Sequence, residues 1–188
     1  MTVEQPPFKR KRPYMPTVPL LLNGELVEDL ERMNAQYPGD LYVTPIVYDS
    51  TFALAAFTER EAMLEESRKM SNSAEFRWHV ELRGGACADE GTPVPQFLRP
   101  WDLPNLRGEF LTISPEGKIR DLSTRVRREF LNWDNAIQSI GICAYPYSAY
   151  SDPNFSGIEH FINFRCWINP DWGITISSIR NWGLAPPA

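Results

Sequence analysis

The chain has few of the residues that carry most catalysis and none of the runs that cross membranes. Only 2 histidines and 3 cysteines occur among 188 residues. Few side chains can therefore offer a base or a thiol nucleophile near neutral pH. No apolar stretch approaches the ~18 residues that a transmembrane helix needs. Lys and Arg number 19 against 24 Asp and Glu, a net charge of −5. That balance excludes a general nucleic-acid binder, whose affinity rests on clustered cations. Cys87, Cys143 and Cys166 are odd in number and scattered, so they give no disulfide framework. They read as buried free thiols, with a Cys143–Cys166 bridge as the alternative.

What is present favours strands and turns. Proline, at 17, is well above its usual share, and Phe, Trp and Tyr are plentiful. At this length folding buries roughly 70% of the unfolded surface, so a core forms without staples. Residues 1–22 read as an extended arm, because Pro6, Pro7, Pro13, Pro16 and Pro19 forbid a helix. Within it Lys9, Arg10, Lys11 and Arg12 form a basic cluster. Such a cluster suits nuclear import or an anionic surface, though solvation alone also accounts for it. The apolar residues 18–22 are too few and too proline-broken for a signal-peptide core, so a cytoplasmic location is expected.

Residues 23–85 read as an α+β extension. Apolar residues at 26, 27, 30 and 33 predict a helix over residues 25–36, stopped by Tyr37-Pro38-Gly39-Asp40. Residues 41–48 and 52–57 predict two strands joined at Asp49-Ser50. Thr58 followed by Glu61 has capping-box spacing and predicts a helix over residues 59–70. The acids of that helix, interleaved with Arg60, Arg68 and Lys69, read as a solvated face. Partial alternation around His79 predicts a strand over residues 76–82. Residues 86–107, rich in Pro, Gly and Asp, read as a linker or loop. Cys87 with His79 lacks an orienting third group at any recognisable spacing, which leaves a nucleophile–base pair without support.

The second half carries an internal duplication. Trp133, Ile137, Ser139 and Ile140 match Trp172, Ile176, Ser178 and Ile179 at an offset of 39 residues. Phe110 with Gly117, and Tyr150 with Gly157, supply an aromatic-to-glycine pair in each copy. Each copy thus predicts a hairpin, a longer connection and a late strand, the order of an antiparallel Greek key.

Tyr150-Ser151-Asp152-Pro153-Asn154-Phe155-Ser156-Gly157 resembles the aromatic–x4–aromatic–x–Gly hairpin of the βγ-crystallin superfamily. Ile176-Ser177-Ser178-Ile179 resembles its late Ser-Ser strand. The first copy is similar, with Pro115 where the second aromatic is usual. Asp134-Asn135-Ala136-Ile137-Gln138-Ser139 resembles the calcium loop of that superfamily. The resemblance covers residues 108–183 and implies a mainly β fold. That fold is a βγ-crystallin-like double Greek-key sandwich at residues 108–188, behind the N-terminal α+β extension. It also implies calcium ligands at Asp134, Asn135 and Ser177. Gln138 stands where Ser or Thr is usual, and Gly173-Ile174 replaces two Asn/Asp in the second copy. At most one partial calcium site is therefore expected, with weak or lost affinity.

The function this implies is non-catalytic: a structural, stress-related or binding protein that meets a protein partner. Two alternatives stand beside it. Residues 177–181, Ser-Ser-Ile-Arg-Asn, resemble the ending of microbial proteinase inhibitors of the superfamily, whose relatives include toxin-like proteins. An enzyme is the other, resting on His79 or His160, although zinc-like paired spacings are absent.

Overall fold

The hairpin expected from β-branched and aromatic residues forms as β3 (Leu41–Tyr48) and β4 (Thr51–Phe57), paired antiparallel from Tyr42↔Phe57 to Tyr48↔Thr51. Asp49 and Ser50 turn it with φ of 47° and 54°. The computed structural model describes residues 12–71, 73–88, 93–127, 131–141, 143, 145–163, 165–168 and 175–183. Lys9, Arg10 and Lys11 lie outside those residues, as do Asp171, Trp172, Gly173 and Ile174.

Before the hairpin come β1 (Leu20–Leu22), β2 (Glu25–Leu26) and α1 (Leu30–Gln36). The helix expected over residues 25–36 is therefore shortened. Asp29 caps its start by accepting the Arg32 N–H, so residues 25–26 are released to a strand, and Leu26 is exposed. After the hairpin come α2 (Arg60–Ser71) and α3 (Ala74–Leu82). Helix α2 matches expectation in place. At its start the Thr58 N–H donates to Asn23 Oδ1 at 3.3 Å. Residues 76–82 are helix α3, not a strand. Ser73 caps it by accepting the Phe76 N–H, and Phe76, His79 and Val80 turn inward at helical spacing. Trp78 and Leu82, which completed the apparent alternation, are left exposed.

The remaining strands are β5 (Ala86–Cys87), β6 (Pro100–Leu103), β7 (Arg107–Phe110), β8 (Lys118–Ile119), β9 (Ser139–Ile140), β10 (Tyr147–Asp152), β11 (Ser156–Ile162), β12 (Cys166–Trp167) and β13 (Ser178–Asn181). The fold is mainly β. A mixed eight-stranded sheet runs β2-β1-β4-β3-β11-β10-β13-β8, and a smaller sheet runs β7-β6-β9. The large sheet joins both halves of the chain, because β3 pairs in parallel with β11 over Leu41↔Ile158, Tyr42↔Glu159 and His160↔Val43. That ladder ends at Val43, so Pro45, which has no N–H, takes no bond from it.

Alternation divides the large sheet into two faces. Leu41, Val43, Leu54, Tyr147, Ala149, Ile158 and Ile162 face a core shared with Leu98, Ile113, Trp133, Ile140 and Ile168 of the smaller sheet and its loops. Met33 of α1 and Phe76 and Val80 of α3 extend this core, giving a sandwich-like body. On the reverse face, Met63 and Leu64 of α2 meet Phe161, Tyr42, Phe57 and Trp182. Strands β3 and β11 are buried from both sides; β3 reads as a nearly continuous apolar run, whereas β11 carries Glu159 and His160 in its buried interior. Each fully buried Leu or Ile contributes roughly 1.5–3 kcal/mol.

The cysteine expectation is corrected. Cys87 of β5 and Cys166 of β12 form a disulfide, and Cys143 is a buried free thiol. The two bridged residues face each other directly in a short antiparallel pair. The partner choice followed from a contact across 79 residues that no local pattern encodes.

Candidate functional site

Two hairpins repeat one hydrogen-bond plan. At the turn between β10 and β11, Asn154 and Phe155 take φ of 62° and 60°, and Gly157 takes 83°. At the turn between β6 and β7, Asn105 and Leu106 take 59° and 54°, and Gly108 takes 85°. A Cβ on Gly157 would press on Ser151 Oγ and Asp152 Oδ2, and one on Gly108 on Asp102 Oδ1. The late strands close these hairpins with their serines. Ser178 Oγ accepts the Phe155 N–H at 3.1 Å and donates to the Asp152 carbonyl at 2.7 Å. Ser139 Oγ accepts the Leu106 N–H at 3.0 Å and donates to the Leu103 carbonyl at 2.6 Å. Backbone bonds repeat as well: Gln138 N–H to the Trp101 carbonyl and Ser177 N–H to the Tyr150 carbonyl, both 2.8 Å. The N–H after each glycine donates to a side chain, Glu109 to Asp102 Oδ1 at 2.7 Å and Ile158 to Ser151 Oγ at 2.9 Å.

This corrects the position of the first hairpin. Phe110 and Gly117 do not form one: β7 pairs with β6 and β8 pairs with β13, in different sheets. The true copy is Trp101-Asp102-Leu103-Pro104-Asn105-Leu106-Arg107-Gly108, of which all but Gly108 lies inside the stretch 86–107 read as a linker or loop. It lies 49 residues before Tyr150–Gly157, while the late strands lie 39 apart, so the first copy holds ten more residues before its late strand. Pro-Asn-x-x-Gly at the 49-residue offset was the available signal. Leu106 in the place of Phe155 hid it from a search for aromatics.

The three residues expected to hold calcium are brought near one another. The Asn135 N–H donates to the Ile176 carbonyl at 3.0 Å, which sets Asp134 and Asn135 against the segment that leads through Ser177 into β13. Asn135 sits at φ 57° and donates from Nδ2 to Asp134 Oδ2 at 3.0 Å. Asp134 Oδ1 is buried without a hydrogen-bond partner among the described residues, a place where an ion or a donor is favoured. The surrounding cleft, about 400 Å³, is lined by Arg127, Leu131, Asn132, Asp134, Asn135, Ala136 and Gln138. One carboxylate therefore shares the cleft with a guanidinium, whose charge opposes a divalent cation. No group of three or more His, Cys, Asp or Glu side chains is placed to hold a metal among the described residues. The fit to calcium, which takes six to eight oxygens, is thus partial.

Arg127 also compensates a buried acid. Its Nη1 donates to Asp102 Oδ2 at 2.9 Å, on the first hairpin. A second ion pair lies on the reverse face. Arg60 of α2 donates to Glu159 of β11 through Nε at 2.9 Å and Nη2 at 3.1 Å. Glu159 further accepts from Ser148 Oγ at 2.6 Å, and Ser148 Oγ accepts from Trp182 Nε1 at 2.7 Å. Burial lowers the Arg60 pKa, but the hydrogen bond and charge of Glu159 outweigh it, so it stands above its ordinary value. Tyr150 is raised, by burial first and then by the Glu159 charge.

The histidines lie apart from these clusters. His160 is buried against Tyr14 at 5.5 Å between ring centroids, and its Nδ1 has no hydrogen-bond partner among the described residues. Burial lowers its pKa to about 3, which keeps the ring neutral. His79 stacks edge-on to Trp78. The Cys87 sulfur is committed to the disulfide, so it offers no thiolate beside His79. No protein-family model matches the chain. No curated protein matches it in sequence.

Proposed function

We propose that residues 98–183 form a double Greek key of βγ-crystallin type, and that the protein is a non-catalytic structural, stress-related or binding module. The observation that carries this is the duplicated hairpin lock, in which Ser139 and Ser178 each bind a turn N–H and a strand carbonyl. Two features support it. The order β11-β10-β13-β8 places a strand of the first copy beside three of the second. The smaller sheet mirrors it as β7-β6-β9 followed by Ile168, which bridges Ile140 as Ile119 pairs with Ile179. Calcium, if held at the Asp134 loop, is held loosely, with Asn135 and Ser177 as the remaining ligands. Calorimetry with calcium on the wild type and on Asp134→Ala tests it: weak heat lost in the variant is expected, and no heat from wild type ends the calcium part. The module itself is tested by swapping Ser139 and Ser178 to Ala together, which is expected to unfold both hairpins in hydrogen-exchange measurements. Unchanged protection in both would refute the shared lock.

The disulfide favours a second reading, a proteinase inhibitor or toxin-like protein. Disulfides persist in oxidising compartments, where such proteins work. Purified protein assayed against serine, cysteine and metallo-proteinases distinguishes it; inhibition of none removes this reading.

A further inference from the structure

The two matched hairpins place an asparagine at the same point of the turn. Asn105 and Asn154 both take left-handed backbone, with φ of 59° and 62°, a conformation that asparagine tolerates well. The turn therefore accounts for both asparagines. It does not account for the residues that follow them. Asn105-Leu106-Arg107 has arginine two residues on, whereas Asn154-Phe155-Ser156 has serine. Asn-x-Ser, with x other than proline, is the acceptor pattern for N-linked oligosaccharide. No other asparagine of the chain has Ser or Thr at that spacing. A pattern this short needs a fold that admits the product. Asn154 is exposed at the tip between β10 and β11. Its N–H donates to the Arg120 carbonyl at 2.6 Å, and its side-chain amide makes no hydrogen bond among the described residues. Phe155 packs on Tyr150 at 5.5 Å between ring centroids, and Ser156 Oγ donates to the Pro153 carbonyl at 2.7 Å. The tip is thus held by its neighbours, and a sugar on Asn154 Nδ2 would enter solvent without breaking a bond of the lock.

We propose that Asn154 is an acceptor for an N-linked glycan. This rests on the oxidising compartment that the Cys87–Cys166 disulfide favours, because the oxidising lumen of the endoplasmic reticulum is also where such oligosaccharides are added. The co-substrate is an oligosaccharide carried on a lipid pyrophosphate. A bond forms between Asn154 Nδ2 and the anomeric carbon as the bond from that carbon to the pyrophosphate oxygen breaks. One amide proton is lost, and the lipid pyrophosphate leaves. The glycan covers the tip of the second hairpin and leaves its twin bare, so two copies alike in bonding differ in surface.

The test uses the full chain behind a cleavable leader, translated into rough microsomes and, in parallel, secreted by a eukaryotic host. Wild type should show one upward gel shift that endoglycosidase reverses, and peptide mass mapping should place the sugar on Asn154. Asn154→Gln and Ser156→Ala should abolish the shift, while Ser156→Thr, which keeps the hydroxyl, should retain it. Glycosylation in microsomes acts on the nascent chain, so these variants report even where folding is impaired. For the secreted protein, Tm before and after trimming by endoglycosidase should agree within about 2 °C, the span of a surface change. The proposal is overturned if wild type carries no glycan, if Asn154→Gln still carries one, or if the glycosylated form melts lower by more than that span. Disulfide mapping of the same secreted sample judges the compartment reading separately: free thiols at Cys87 and Cys166 would remove that reading, whatever the state of Asn154.

Discussion

Replacing Arg60 with Met tests whether the N-terminal half is held to the sheet by a buried ion pair. The Glu159 side chain is 5% exposed and the Arg60 side chain 18%. Removing the guanidinium takes away both of its bonds to Glu159 and leaves the carboxylate with the Ser148 hydroxyl. Breaking a buried pair from one side costs roughly 3–5 kcal/mol, because the remaining charge stays desolvated. Partial access of water at Arg60 places the expectation at the lower end, about 3 kcal/mol. For a chain of this size that is a fall in Tm of roughly 6–12 °C. Arg60 also lies over the Trp182 ring at 5.0 Å, so Arg180→Met, which removes a cation 3.7 Å from the same ring, is the control for lost stacking. Glu159→Gln should be milder, since Arg60 can reach water. The double variant Arg60→Met with Glu159→Gln should be more stable than the sum of the singles by about 2 kcal/mol. Urea unfolding of the four proteins, read by tryptophan fluorescence, gives the cycle. A loss below about 1 kcal/mol in Arg60→Met, or one no larger than in Arg180→Met, would refute the reasoning.

Three further outcomes follow from the same structure. Replacing Cys87 and Cys166 with Ser should destabilise by about 4 kcal/mol on the chain-entropy account of a loop this long; an unchanged urea midpoint would show that the crosslink does not restrain the unfolded chain. Ser178→Ala orphans the Phe155 N–H and the Asp152 carbonyl and should cost about 1–3 kcal/mol, whereas Ser123→Ala, at an exposed turn, should cost under ~0.5 kcal/mol. His160 is neutral when folded, with its pKa lowered by burial to about 3 against an ordinary 6.5. The unfolded chain therefore binds an extra proton between those values, so stability is full above pH 6.5 and falls by about 1.4 kcal/mol per unit as pH drops toward 3. His160→Gln should flatten that slope relative to wild type, and parallel curves would assign the acid sensitivity to other groups.

The parts of the fold visible in the sequence are those whose local pattern and burial agree. Strands β3 and β4 are rich in β-branched and aromatic residues and sit inside the sheet. Residues 76–82 misled because apolar residues at 76, 78, 80 and 82 alternate, while burial follows Phe76, His79 and Val80. Exposure of Trp78 and Leu82 depends on what lies opposite, which no local pattern contains. The late repeats at Ser139 and Ser178 were legible because their serines perform the same bonding in both copies. The first hairpin was not, because its turn tolerates Leu106 where Phe155 packs on Tyr150 at 5.5 Å. At the Asp134 loop the motif was readable, but Arg127 enters the cleft from a different segment and changes its charge.

The parallel contact between β3 and β11 has a consequence for self-association. Without it, the ladder of β11, β10, β13 and β8 would terminate in the bare N–H and C=O groups of Ile158, Glu159 and His160, a template for another chain. With it, the eight-stranded sheet instead ends in two-residue strands carrying Glu25 at one side and Lys118 at the other, both too short and too charged to recruit a neighbour. The first half of the chain thus serves the second as a guard against fibrous growth. A fragment beginning near residue 95 should pair with itself through β11 at concentrations where the whole chain does not.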